Sequence, residues 1–275
     1  MRHVGERKGT AGETIGNQER TAADCGRVAG SGPLRDAGGV AKFRHEAIAA
    51  VLQVRPGPDG MVLSVLARRR LRAPYAASWA LPSGPVEVDE SIGQSVRRHL
   101  ATKLDLAEVA HLEQLETLSS PGRDPYDRTI ATAFLGLLPW TSDPELPGTA
   151  AWLPVAELPA MAFDHAAVVR HAVDRMRAKL SYTNIGFALA PAEFTMAGLR
   201  DAYAAALGHD VTATNLQRVL GRRGQLEATG AVSAPGSAGG RPGKLFRFTH
   251  RELEVTDPFA TLRPSPAPAR SAGGS

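Results

Sequence analysis

One cysteine, Cys25, stands in the 275 residues, which excludes an intramolecular disulfide and any cysteine-rich zinc site and gives no sign of an oxidising compartment. No run of about 18 apolar residues occurs, and the opening MRHVGERKGTAGETIG lacks the apolar core of a secretory signal. The expected location is cytoplasmic. Neither charge sign is in great excess. A net charge of +4 and a pI near 9.5 tilt the partner list toward polyanions without singling out nucleic acid. With 43% hydrophobic and 22% charged residues the chain is too apolar to be wholly disordered, and its length suits two domains.

Composition divides the chain. Residues 1–42 are rich in Gly, Arg, Glu and Ala with almost no aliphatic periodicity, so they are expected to be a disordered tail. Pro264, Pro266, Pro268 and the Ser/Ala/Gly end predict a second flexible tail over 257–275. Between them, Ala47 to Val54 and Val62 to Ala67 are apolar runs around a Pro/Gly turn, which predicts a strand pair. Ile92, Val96, Leu100 and Leu104 fall at helical spacing within 91–104. Ile130 to Leu138 is a further apolar run, and Trp152-Leu153-Pro154 reads as opening a short strand ahead of Val155 to Leu158. Alternating strands and helices over this stretch predict an α/β domain. From His165 the pattern turns helical: 166–180, 196–207 and 212–221. Leu226 to Thr229, a Gly/Ser/Pro loop over 230–243, and a returning Leu245-Phe246-Arg247-Phe248 follow. Helices followed by a hairpin with a basic loop is the order of a winged helix.

Gly84-Pro-Val-Glu-Val-Asp-Glu90, seven residues and then Arg98 give the spacing G-x5-E-x7-R, preceded by Trp79-Ala-Leu-Pro-Ser83-Gly84. At this point the sequence resembles the Nudix hydrolase family. That resemblance implies a helix R-E-U-x-E-E-x-G-U whose carboxylates hold divalent metal. Here the stretch is Arg98-His99-Leu100-Ala101-Thr102-Lys103-Leu104-Asp105-Leu106, with His99, Thr102 and Lys103 where the three glutamates belong. A cation in place of a ligand repels Mg²⁺, and Glu90 alone is a poor substitute for a cluster of oxygens. No metal site and no metal-dependent hydrolysis by the usual route are expected. Glu90 and Arg98 read equally well as a solvated charge pair or caps.

Further on, LEQLETLSSPGRDPYDRTIATAF from Leu112, AFDHAAVV at 162–169, AKLSYTNIGFALAPAEFTMAGLRDAY at 178–203 and GRPGKLFRF at 240–248 follow in order. Together these motifs resemble the Nudix-related transcriptional regulators of NAD metabolism, the NrtR family, over residues 45 to 250. The resemblance implies an α/β Nudix fold, a mixed sheet sandwiched by helices, over 43–162. A linking helix over 163–180 and a winged helix-turn-helix domain over 181–256 follow. It also implies a dimeric repressor of NAD biosynthesis or salvage genes whose Nudix domain senses ADP-ribose or a related nucleotide. Departures are Tyr126 at the end of the family's R-D-P-R run, Ser83-Gly84 for its G-G, and Asn215-Leu216-Gln217-Arg218 for its N-F-R-R.

A diphosphate ligand needs fixed cations, and Arg70, Arg98 and Arg123 stand at motif-like positions, with Glu90 beside them. Asp124 or Asp127 could accept from a ribose hydroxyl; Tyr75 or Trp79 could stack on a base. Arg123-Asp124-Pro125 reads as readily as a turn whose aspartate satisfies backbone donors. Asp164 suits an N-cap with Phe163 packing inward, and His165 reads as structural. In the C-terminal half Thr212 can cap the second helix. Thr214, Asn215, Gln217 and Arg218 can reach bases or phosphates, with Val219 and Leu220 inward and Arg222 and Arg223 toward phosphates. Arg241 and Lys244 lie in the wing. The expected partners are double-stranded DNA, a nucleotide effector and a second copy of the chain, with no cofactor and no membrane. Two other readings stay open: an active Nudix hydrolase with an appended DNA-binding domain, and a constitutive repressor that uses its Nudix domain only to dimerise.

Overall fold

The computed structural model describes residues 35–233 and 242–257. Residues 1–34 and 258–275 of the expected tails, the tip of the wing and Arg241 lie outside them, whereas 35–42, expected to be disordered, are described and hold a turn. Among the described residues, 35–41 belong to one unit and those from 42 onward to another. In the first, Arg35 bridges to Ala41 across a turn held by the Asp36 carboxylate, which accepts from the amides of Gly38 and Val40. All that follows concerns the second.

Its centre is a seven-stranded mixed sheet. The predicted strand pair is β1 (Arg44–Gly57) and β2 (Gly60–Arg69), an antiparallel hairpin. β3 (Trp79–Ala80) extends the sheet beyond β2, and β4 (Ser83–Pro85) pairs with the start of β1. β5 (His111–Leu118) and β6 (Thr129–Leu138) are antiparallel to each other, while β6 runs parallel to β1 over ten residue pairs. β7 (Ala150–Pro154) pairs with β2, and the chain then winds into a short 3-10 turn over Val155–Glu157. β1 is buried for most of its length, as the central strand of a two-sided sheet must be.

α1 (Ile92–Leu104) covers one face. Ser91 and Gln94 form a reciprocal capping box at its start, and Asp105 ends it in the left-handed conformation. Val96, Leu100 and Leu104, predicted from their spacing, pack on Ala47, Ala49, Val51, Leu66 and Phe134. α2 (His165–Tyr182) covers the other face through Val168, Val169, Ala172 and Met176, which meet Ile48, Ala50 and Leu52. On its solvent side, the Glu113 carboxylate of β5 takes Lys179 at 2.9 Å, and Glu116 faces His171 at 2.7 Å. The same apolar cluster runs on into the C-terminal elements.

Those elements are β8 (Phe194–Thr195), α3 (Met196–Leu207), α4 (Ala213–Arg222), β9 (Leu226–Val232) and β10 (Lys244–Phe248). The three strands form an antiparallel sheet in the order β8-β10-β9, which with α3 and α4 is a winged helix-turn-helix. Thr195 caps α3 and Thr212 caps α4 through their side-chain oxygens. Gly208 closes α3 at φ 79°, a left-handed C-terminal position that favours glycine. Residues 254–257 return to the end of α2, where Thr256 and Asp257 donate to the Tyr182 carbonyl. Asp257, expected in the flexible tail, is thus hydrogen-bonded into the fold.

Candidate ligand cleft and nucleic-acid face

A cleft of about 640 Å³ opens where β1, β2 and β4 meet the C-terminal end of α1, a size that suits a nucleotide-sized ligand. Alternation along the strands puts Arg44 and Glu46 of β1, and Arg68 with Arg70 around the end of β2, on its walls. Lys103 enters from α1, Arg72 from the rim, and Asp124, Tyr126 and Asp127 from the loop before β6. Five cationic side chains therefore meet three carboxylates. Glu46 is paired with Arg44 at 2.8 Å, and Asp127 lies 3.7 Å from the same guanidinium. Asp124 faces its own turn, where it accepts from the amides of Tyr126 and Asp127 and the Thr129 hydroxyl. That is the turn reading of Arg123-Asp124-Pro125, with Asp124 still on the cleft wall.

Of the candidates for ligand contact, Arg70, Asp124 and Asp127 line this cleft, and Trp79, Glu90, Arg98 and Arg123 do not. Glu90 and Arg98 are held by each other: Arg98 Nε donates to one Glu90 oxygen at 2.9 Å and Nη2 to the other at 2.5 Å. Nη2 also donates to the Pro85 carbonyl. The Arg98 guanidinium holds the Glu90 carboxyl down to about 2. Arg123, its side chain only 3% exposed, makes a bidentate pair with Asp164 at 3.0 and 2.8 Å. Asp164 consequently stands at the N-cap of α2 but makes no side-chain cap bond. Trp79 lies under the Arg69 guanidinium instead of facing the cleft. Phe163, at φ 53°, reaches the cleft, as Tyr126 does from the loop before β6. Phe163 carries Arg70 over its ring at 4.7 Å and Tyr75 against its edge at 4.9 Å.

The substituted helix positions have separate fates. His99 is buried against Gly84 and its Nε2 meets the Pro85 carbonyl at 2.9 Å; burial lowers its pKa. Thr102 donates to the Arg98 carbonyl one turn back. Lys103 turns toward β4, where its ammonium donates to the Ser83 carbonyl. Among the described residues no cluster of three or more His, Cys, Asp or Glu is arranged to hold a metal ion. His165 is structural: buried at the start of α2, it accepts the Leu81 amide at Nδ1 over 2.9 Å. Desolvation pushes its pKa down to about 4.

On the C-terminal side, α4 buries Leu216 and Leu220 and leaves Thr214, Asn215, Gln217, Arg218 and Arg222 exposed. Leu216, more than the half-buried Val219, is the inward partner of Leu220. Thr212 accepts from the Asn215 amide, and Arg218 donates to the Asn215 side chain at 2.7 Å, so the exposed polar groups are pre-ordered. Lys244 is exposed at the base of the wing. Arg223 departs from its expected role, since its guanidinium pairs with Asp257 at 2.9 Å. Arg247 is likewise paired with Glu227.

Two family models match. One, the NUDIX domain, covers residues 44–174, and the other, the NrtR DNA-binding winged helix domain, covers 186–248. The chain pairs a NUDIX domain with an NrtR DNA-binding winged helix domain. A relative, the ADPR responsive transcriptional repressor NtrR of Acinetobacter baylyi, is 26% identical over 203 residues, 71% of this chain and 80% of its own. The NrtR of Shewanella oneidensis, solved in complex with a 27mer DNA, is 26% identical with a TM-score of 0.61. That match covers 74% of this chain and 93% of the Shewanella chain. A MutT/nudix family protein from Enterococcus faecalis, 22% identical, shares the fold at a TM-score of 0.62 over 76% of this chain and 89% of its own.

Sequence reasoning missed Arg44, Arg68, Arg72 and Lys103 as a group, because they come together from two strands, a loop and a helix. A signal was present for one of them, since Arg68 directly ends the apolar run Val62 to Ala67.

Proposed function

We propose that this chain is a DNA-binding transcriptional repressor of NAD biosynthesis or salvage genes, acting in the cytoplasm as a homodimer. Its Nudix domain binds ADP-ribose or a related nucleotide and does not hydrolyse it. The observation that carries the DNA reading is α4, whose exposed face offers Thr214, Asn215, Gln217, Arg218 and Arg222 while Leu216 and Leu220 anchor it to the winged-helix core. Lys244 adds a phosphate-seeking cation from the wing. The DNA-bound Shewanella protein and the ADPR responsive repressor of Acinetobacter support the same reading.

The cleft and the DNA face are joined through α2. Phe163 and Asp164, which touch the cleft cation Arg70 and the loop residue Arg123, immediately precede its first turn. Its last turn meets the segment that packs on the winged helix, where Asn184 bonds Glu252 and Glu254. A ligand that favours one placement of this helix over another changes DNA affinity by its differential binding to the two states. A gel shift on operator DNA pulled down from the genome, titrated with ADP-ribose, tests the function. Affinity for DNA should change at least several-fold, whereas unchanged binding would remove the sensor role. Rapid turnover of ADP-ribose with Mg²⁺ would favour the hydrolase reading.

A further inference from the structure

The charges in the cleft do not balance. Arg44 has Glu46 and Asp127 beside it, and Arg70 is held by the Pro74 carbonyl and the face of Phe163. Arg68, Arg72 and Lys103 have no ion-pair partner among the described residues, and Asp124 gives its oxygens to its own turn. Lys103 is the most constrained of them. It is half-buried and tied to the Ser83 carbonyl by one of the three protons of its ammonium, which leaves two donors for another acceptor. Desolvation and then the neighbouring Arg68 push its pKa down, with Glu46 opposing. A fixed, partly desolvated cation next to a second unpaired cation is a site that gains stability when an anion arrives. A dication is repelled by the same arrangement.

We propose that the cleft is a metal-independent site for a diphosphate, with Lys103 and Arg68 contacting the phosphate oxygens directly. Lys103 thereby supplies from the protein the positive charge that a divalent ion would otherwise bring. This deepens the reading of the cleft as the effector site and rests on it. Lys103 is also the residue that sets the class of ligand: an uncharged nucleoside finds no use for the pair, whereas two adjacent phosphates fit the fork of Arg68 and the point charge of Lys103.

The test is calorimetric titration of the full chain with ADP-ribose and, separately, with inorganic pyrophosphate, each in Mg²⁺ and in EDTA. Both ligands should bind equally well in the two buffers. Lys103→Gln should weaken both at least tenfold, Arg68→Gln by a similar factor, and Lys103→Glu more than either. Because Lys103→Gln removes a desolvated cation, its melting temperature should equal or exceed that of the unaltered protein, which separates lost binding from lost folding. Undiminished pyrophosphate binding by a folded Lys103→Gln protein would overturn the proposal, as would a requirement for Mg²⁺ or failure of pyrophosphate to bind at all. If pyrophosphate binds and depends on Lys103 while ADP-ribose does not bind, the diphosphate site stands and the ADP-ribose reading falls.

Discussion

Acidification should loosen the protein through one side chain, His165. Its Nδ1 accepts the Leu81 amide, so the ring must stay neutral with its proton on Nε2, and burial lowers its pKa from 6.5 to about 4. A histidine whose folded pKa is depressed stabilises the fold above the unfolded value and loses that contribution as pH falls toward the folded one. With those two values, moving from about pH 7.5 to about pH 5 removes about 2 kcal/mol of unfolding free energy. Burial also lowers the pKa of His99. The comparison is therefore with His165→Asn, whose side-chain oxygen can take the Leu81 amide but cannot be protonated. Urea denaturation at the two pH values should show the unaltered protein losing about 2 kcal/mol more than the variant. Equal losses would refute the assignment of His165 as a buried neutral acceptor.

Gly84→Ala drives a Cβ into the buried His99 ring, an overpacking expected to cost about 1 to 3 kcal/mol. Thermal melting should show the loss, and adding His99→Ala should recover part of it. The Arg123–Asp164 pair is unequally buried, with 3% and 27% of the side chains exposed, so the two truncations should differ. Asp164→Ala strands the deeper charge and should cost about 3 kcal/mol against about 2 for Arg123→Ala, measured by denaturant unfolding. Arg218→Ala and Lys244→Ala should each lower the slope of log affinity for DNA against log salt by about one. Arg223→Ala, already paired with Asp257, should leave that slope unchanged.

The elements that sequence periodicity made legible are those whose signal is local. Ile92, Val96, Leu100 and Leu104 lie on one face of α1 whatever surrounds it, and the Pro/Gly turn between two apolar runs leaves a hairpin as the simplest outcome. The winged helix was readable because Thr212 and the flanking glycines punctuate α4 within a few residues. The ligand wall was not readable in the same way. Arg98 and Arg123 stood at motif positions, yet each found a carboxylate, Glu90 eight residues away and Asp164 forty-one residues away. The short span from Glu90 into α1 makes the first partner inferable, but the second exists only because the loop before β6 folds against the start of α2. Lys103 was recognised as wrong for a metal and not as right for an anion, since its neighbour Arg68 comes from a strand that sequence alone does not set beside it.

The alternation of β1 explains how one small sheet can serve both halves of the molecule. Ala47, Ala49 and Val51 face α1, the helix that carries Lys103, while Ile48, Ala50 and Leu52 face α2 and the cluster continuing to Leu199, Leu216 and Phe248. A strand with one polar face could have supported only one of these layers. The small residues on the α1 side allow that helix to lie close to the strand bearing Arg44 and Glu46, and the larger ones opposite supply the volume that fixes α2. The two layers share a backbone, and α3 of the winged helix packs directly on β2, the strand whose end carries Arg68 of the cleft. Two further contacts immediately precede α2: Arg70 on Phe163, and Arg123 on Asp164. The coupling proposed above can therefore run through β2 as well as through these polar and aromatic contacts, with the apolar core as the frame on which they act.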